Sequence, residues 1–266
     1  MKTWVVANQK GGVGKTTTAV TLSGLLAQQG NRVLMVDLDP HASLTQYFGY
    51  EPEDLTHSIF DIFDDTASNQ ALKKEGYLTT HLDNLTLVPA NIALATLDKR
   101  FGQQKGLGLK LSQYLQTVQN DFDYVIVDCP PVLGVLMINA LACADELVIP
   151  VQTEFLAIKG LERMLLTTDM VYKRQANPPN IVIVPTLFDR RTRASIDSLR
   201  HLRNHYEDIL WRSVVSIDTH FRDASQAHLV PSSYIEETRG VIEYKQLSKD
   251  IQKGTINRFV SIMEAV

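Results

Sequence analysis

Two lysines stand five positions apart in the run "NQKGGVGKTTT", residues 8–18. Glycines let backbone N–H groups close around an anion, and a helix starting at such a loop adds the positive end of its dipole. In a phosphate-binding loop, a lysine at the head of that helix reaches the β- and γ-phosphates. The hydroxyl after it ligates Mg²⁺. Lys15 and Thr16 occupy those places, with Gly11, Gly12, Val13, Gly14 and Thr17 completing the cradle. The strict spacing G-x-x-x-x-G-K-[ST] is not met, because Gln9 stands where its first glycine belongs. Lys10 has no part in that scheme, since one phosphate loop needs one lysine.

Carboxylates that could hold the metal follow in two places. "VDLDP" puts Asp37 and Asp39 at the end of one apolar run, and "VIVDCPP" puts Asp128 at the end of another. Open α/β sheets bind ligands at such strand ends. An Asp after a strand is in general a cap or turn residue, but a phosphate loop in the same chain changes that reading. Hydrolysis needs a cation near the β/γ bridge and a water aligned behind the γ-phosphate.

The elements that must position these groups are legible as alternation. "TWVVAN", "RVLMVDLD", "LTLVPA", "DYVIVDC", "ELVIPVQ" and "NIVIVPTLF" are nearly continuous in Val, Ile and Leu. Strands buried on both faces of a parallel sheet read this way. Between the first two lies a helix pattern over 15–29, closed by Gly30. The repeated βαβ rhythm predicts an α/β fold over 1–266: a single-domain, doubly wound, mostly parallel twisted sheet flanked by helices. Residues 51–83 read as loops and short helices over the sheet, and "FGQQKGLG" (101–108) as a mobile loop.

Bulk properties agree. The 266 residues are 44% apolar and 21% charged, with a net charge of -4, which excludes a uniformly basic nucleic-acid coat. Cys129 and Cys143 form no disulfide framework and suit a reducing cytosol. No signal peptide is visible, and the longest apolar run, 132–144, is too short to span a bilayer and reads as a buried helix.

The set "KGGVGKTT", "VDLDP" and "VDCPP" resembles the ParA/MinD family of deviant Walker-A ATPases. "PVQTEFLAIKGL", "PTLFDRRTRAS" and "TRGVIEY" extend the likeness over nearly the whole chain. The resemblance implies a P-loop NTPase fold, ATP and Mg²⁺ as ligands, and a homodimer in the ATP state. It makes Lys10 the signature lysine, which reaches the partner's nucleotide phosphates. Lys10, Lys15 and Asp39 would then be catalytic, with Asp39 orienting the attacking water. Thr16, Asp37, Asp39 and Asp128 would surround the metal, and Asp218 in "SIDTHFRDAS" would contact adenine. Ser216 stands where the family has proline, and Glu154 falls where a ribose contact from the partner is expected. His41 replaces a common glutamine and reads as a switch-loop hydrogen-bonding residue.

The residues around His41 and the block "PPVLGVLMINALACADELVIPVQTEFLAIKGLERM" look most like the ParC branch, associated with polar chemotaxis clusters. That implies a polar landmark protein and a ParP-like coupling protein as partners, and a bacterial cytoplasmic location at the nucleoid or the cell pole. A basic stretch, "DRRTRASIDSLRHLR", carries Arg190, Arg191, Arg193, Arg200 and Arg203. By the same resemblance it would bind DNA without sequence preference. Rival readings are a MinD-like membrane ATPase, a plasmid or chromosome partition ATPase, a reductase like the nitrogenase iron protein, and a metabolic ligase. The C-terminal segment, with Ile251, Ile256, Phe259, Ile262 and Met263 at near-helical spacing, reads as packing on the core rather than a membrane anchor.

Overall fold

The computed structural model describes residues 1–64, 72–73, 75–100, 106–173, 175 and 177–254. Seven strands form one sheet: β1 Lys2–Val6, β2 Val33–Asp37, β3 Leu78–Thr79, β4 Leu85–Val88, β5 Tyr124–Asp128, β6 Glu146–Gln152 and β7 Asn180–Thr186. Their order is β3-β4-β2-β5-β1-β6-β7. All pairings are parallel except β3 against β4.

The uninterrupted apolar strands have a direct cause. Side chains alternate faces along a strand, and both faces are covered. Val5, Leu34, Val36, Val125 and Val127 enter one buried cluster with the Val135–Ala142 and Phe155–Tyr172 helices. Trp4, Val6, Met35 and Ile126 enter another with the Lys15–Gln28 and Arg239–Gln252 helices. The two clusters fix the height of each strand, and therefore of the loops at the C-terminal ends.

The Lys15–Gln28 helix is central to that arrangement. It is buried along most of its length and ends as the sequence predicts, with Gly30 left-handed at φ 89°. Gly24 in its middle is a packing glycine. A Cβ there would lie 2.7 Å from both Cβ and Cγ2 of the buried Val230.

Residues 51–83 contain short helical turns at Pro52–Asp54 and Ile59–Phe63, as expected, but also the antiparallel edge strand β3, which was not. The expected mobile loop falls mostly on 101–105, outside the described residues. Its end, 106–108, is tied down: Leu107 is buried and its carbonyl accepts from Asn139 Nδ2 at 2.7 Å. The buried helix expected over 132–144 runs only from Val135 to Ala142, with Val132 and Leu133 exposed. At the C-terminus Ile251 packs in the core, whereas Ile256, Phe259, Ile262 and Met263 lie outside the described residues. No helix among the described residues is long and apolar enough to cross a membrane.

Gly24 supplies a test with a definite sign. In an open helix Gly→Ala stabilises by about 1 kcal/mol. Here overpacking against Val230 costs about 1–3 kcal/mol. Gly24→Ala is expected to lower the denaturant midpoint, and adding Val230→Ala to recover part of the loss. A stabilised single variant would show that the contact is not limiting.

Candidate functional site

β1, β2 and β5 converge at their C-terminal ends, with Val6 paired to Asp128 and Asp37 to Asp128 in the strand register. The glycine loop leaves β1 there and turns into the Lys15–Gln28 helix. Gly12 and Gly14 are left-handed, at φ 75° and 88°. A Cβ on Gly11, Gly12 or Gly14 would meet no heavy atom within 4 Å. Gly12 and Gly14 thus serve backbone conformation, and all three glycines border open space rather than packing against the protein. The loop is anchored from outside: Asn8 Nδ2 donates to Pro150 O at 2.8 Å, and Thr186 Oγ1 to Val13 O at 2.8 Å.

Lys15 is 8% exposed, and its Nζ donates to Lys10 O at 3.1 Å, curling back over the loop. Burial pushes its ammonium below its ordinary pKa, an effect opposed by the carboxylates of Asp128 and Asp39. Thr16 Oγ1 donates to Asp128 Oδ2 at 2.6 Å. Asp128 Oδ1 is buried with no hydrogen-bond partner.

Asp37 is fully buried and held at three points. Its Oδ2 accepts from Thr45 N at 2.9 Å and Thr45 Oγ1 at 2.8 Å, and its Oδ1 from Asp39 N at 3.1 Å. Burial raises Asp37 to about 7 and Asp128 to about 8, and their mutual repulsion adds to the rise of Asp128. Such a pair stays ionised only beside added positive charge.

The residues fit a magnesium–phosphate group. An open cradle of backbone, a buried lysine, a hydroxyl and an orphaned carboxylate oxygen are hard-ligand chemistry suited to Mg²⁺. Among the described residues no three His, Cys, Asp or Glu side chains close on a metal. That suits an ion that keeps water and phosphate oxygens as its other ligands. Thr16 and Asp128 are the residues that would hold it.

Other expected site residues fall less simply. Lys10 extends away from the loop and pairs with Glu154, the residue preceding the Phe155–Tyr172 helix, while its stem lies against Gly160. Asp39 Oδ1 accepts from His41 N at 3.0 Å and His41 Nδ1 at 2.9 Å. Asp218 is a brace: Oδ1 takes His220 N at 3.0 Å and His220 Nδ1 at 2.6 Å, and Oδ2 takes Gly240 N at 3.0 Å. Thr17 lies in the first turn of the helix and its carbonyl accepts from Thr21 Oγ1.

The basic stretch forms the Arg193–His205 helix, capped by Thr192. Arg193 and Arg200 share Asp197, Arg191 pairs with Asp189, and Arg203 donates to the Arg212 carbonyl. Arg190 makes no ion pair among the described residues and lines a cleft of about 320 Å³ with Phe188, Ser216 and Arg239. Sequence reasoning missed Thr45, which cages Asp37. A threonine eight residues after a strand-end Asp carries no visible signal.

Sheet order, loop and strand-end carboxylates together define the P-loop nucleotide-binding class. A family model described as an AAA domain matches residues 1–182. The sporulation initiation inhibitor protein Soj of Bacillus subtilis is 35% identical over 247 residues, 92% of this chain and 96% of that protein. The chromosome-partitioning ATPase Soj of Treponema pallidum is 32% identical over 251 residues, 94% of this chain and 96% of its own. Among solved structures, cobyrinic acid a,c-diamide synthase of Mycobacterium smegmatis, with bound ATP analog and magnesium, superposes with a TM-score of 0.82. It is 31% identical, covering 98% of this chain and 100% of that one. The chain belongs to the ParA/Soj family of ATPases.

The buried carboxylates give a pH prediction. Because Asp37 and Asp128 are raised above the ordinary 3.8, the folded chain holds protons that the unfolded chain releases. Their contribution is complete below about pH 4 and is lost as pH rises through 7 and 8. Nucleotide-free protein should therefore lose stability from pH 6 to 9. Asp128→Asn should flatten that slope and raise the pH 8 melting temperature by a few degrees, on the order expected for ~1 kcal/mol. An unchanged slope in differential scanning fluorimetry would mean that Asp128 does not titrate there.

Proposed function

We propose that this chain is a deviant Walker-A ATPase that works as an ATP-dependent dimerisation switch, with weak Mg²⁺-dependent hydrolysis. The observation that carries the reading is the separation of the two lysines. Lys15 bends into its own loop, whereas Lys10 runs outward to Glu154. A cation on the outer side of the loop can serve a second phosphate group only if another copy brings one. Two triphosphates face to face would repel unless each subunit donates positive charge.

In this scheme Lys15 and the N–H groups of 11–17 bind the chain's own triphosphate. Thr16 and Asp128, with Asp37 and Asp39 nearby, would hold the metal. Bound Mg²⁺ would neutralise β- and γ-oxygen charge. Asp39 orients a water in line with the γ-phosphorus; the new P–O bond forms as the bond to ADP breaks. Asp218 contacts the adenine in this scheme, a role that rests on the family resemblance of its segment.

The ATP dimer binds DNA without sequence preference through Arg190, Arg191, Arg193, Arg200 and Arg203. Exposed pairing with Asp189 and Asp197 contributes little at physiological salt, so it does not remove that capacity. The cargo is a polar chemotaxis array, with a polar landmark protein and a ParP-like protein as partners, in the bacterial cytoplasm at the nucleoid or pole. That cargo rests on resemblance to the ParC branch. The relatives' names favour a second reading, chromosome or plasmid partition, with the same switch and a different cargo. Imaging a fluorescent fusion separates them: foci that follow chemotaxis clusters support the first, foci that follow replication origins or plasmids the second.

The reductase rival needs surface thiolates, and burial holds the Cys129 thiol well above its ordinary pKa. A MinD-like anchor is disfavoured by the few basic residues of the C-terminal segment; a ligase, although a synthase superposes on this chain, leaves both Lys10 and the arginine stretch without a role.

Three substitutions separate the steps. Lys15→Ala should weaken ATP binding by about 2–5 kcal/mol, the range for unpairing a buried charge; near-normal affinity by calorimetry would overturn the site. Asp39→Ala should bind ATP and accumulate as a dimer in gel filtration, and a monomer would make Asp39 a structural or metal-holding group. Lys10→Ala should bind ATP but fail to dimerise. DNA affinity should then fall with it, because each subunit makes too few phosphate contacts. Persistent dimers of this variant would reduce Lys10 to a loop residue.

A further inference from the structure

Three loop aspartates share one local geometry. In each, the carboxylate accepts the backbone N–H of the residue two positions on and also that residue's side chain: Asp39 with His41, Asp189 with Arg191, Asp218 with His220. At Asp189 both oxygens are used, since Arg191 Nη2 takes Oδ2 at 2.8 Å. At Asp218 both are used as well, with Gly240 N on Oδ2. In those two clamps both oxygens are engaged by the protein, which braces the chain.

Asp39 differs. Both donors of the clamp fall on Oδ1, and Oδ2 takes no hydrogen bond among the described residues. Its carboxylate is also close enough to Lys15, Asp37 and Asp128 to act on their charge states. The Asp39 side chain is 14% exposed and the His41 ring 80% exposed, so the ring holds the carboxylate from the solvent side. A carboxylate gripped through one oxygen keeps the plane of the other fixed.

We propose that His41 is a positioning residue for hydrolysis: by donating from Nδ1 to Asp39 Oδ1, it fixes Asp39 so that Oδ2 alone faces the water. This rests on the reading of Asp39 as the water-orienting group. The neutral Nδ1–H ring suffices, and no proton passes through it. The backbone N–H of residue 41 bonds the same oxygen whatever the side chain, so removing the ring leaves the turn in place. Asparagine is the informative substitute. Its Nδ2 is separated from Cβ by the same number of bonds as the histidine Nδ1, and it donates a hydrogen bond.

The experiment is single-turnover hydrolysis of preloaded Mg-ATP by wild type, His41→Ala, His41→Asn and Asp39→Ala, with steady-state KM for ATP and melting temperature measured alongside. Losing one modest hydrogen bond that acts on a reacting group should slow His41→Ala about three- to tenfold. KM and melting temperature should stay at wild-type values, and His41→Asn should recover most of the rate. The proposal is overturned if His41→Ala hydrolyses at the wild-type rate while Asp39→Ala does not, or if His41→Asn is as slow as alanine. A rise in KM, or a fall in melting temperature that accounts for the slow rate, also overturns it, because the ring would then be structural. Wild-type hydrolysis by Asp39→Ala would overturn the reading of Asp39 itself, and this inference with it.

Discussion

The strand register of β2 against β5 sets Asp37 beside Asp128 at the buried floor of the glycine loop. Two carboxylates so placed cannot both ionise without nearby positive charge, and burial has already raised both. Most features of the site answer to that constraint. Thr45 and the Asp39 amide hold Asp37, Thr16 holds one oxygen of Asp128, and Lys15 lies over the loop with its own charge disfavoured by burial. One carboxylate oxygen stays without a partner. A divalent cation held by Thr16 and Asp128 would supply the positive charge this arrangement lacks.

The same charge balance gives Lys10 its interest. If Lys10 turned into its own loop, it would help to neutralise the pair. Instead its stem passes Gly160, where a Cβ would come within 3.3 Å of the lysine Cβ, and its ammonium reaches Glu154. The second cation is thereby held at the outer rim, beside the exposed Phe155 and Leu156. Contrary to the simplest expectation for a lysine reserved for a partner, it makes a contact within its own chain. In the proposed dimer that ion pair must open before Lys10 can cross.

Much of this was legible in the sequence because it rests on local chemistry. Apolar strand runs, the Gly–Lys–Thr turn and the three strand-end aspartates each follow from backbone geometry or from burial on both sheet faces. What was not legible depends on distant partners. The edge strand β3 is two residues long and exists through its pairing with β4. Thr45 cages Asp37 only because a short helix folds back over the strand end. The arginine run was plain, but Asp189 and Asp197 meet three of its five members. Asp218 was expected at the base; that its carboxylate also braces His220 and, far along the chain, Gly240 was not legible.

In the proposed switch the chain is complete only in pairs, and only with a triphosphate. Sedimentation velocity on the wild-type chain tests it most directly, comparing Mg²⁺ with a non-hydrolysable ATP analogue, Mg²⁺ with ADP, and no nucleotide. A dimer is expected in the first condition and a monomer in the other two. The same sedimentation coefficient in all three would contradict it.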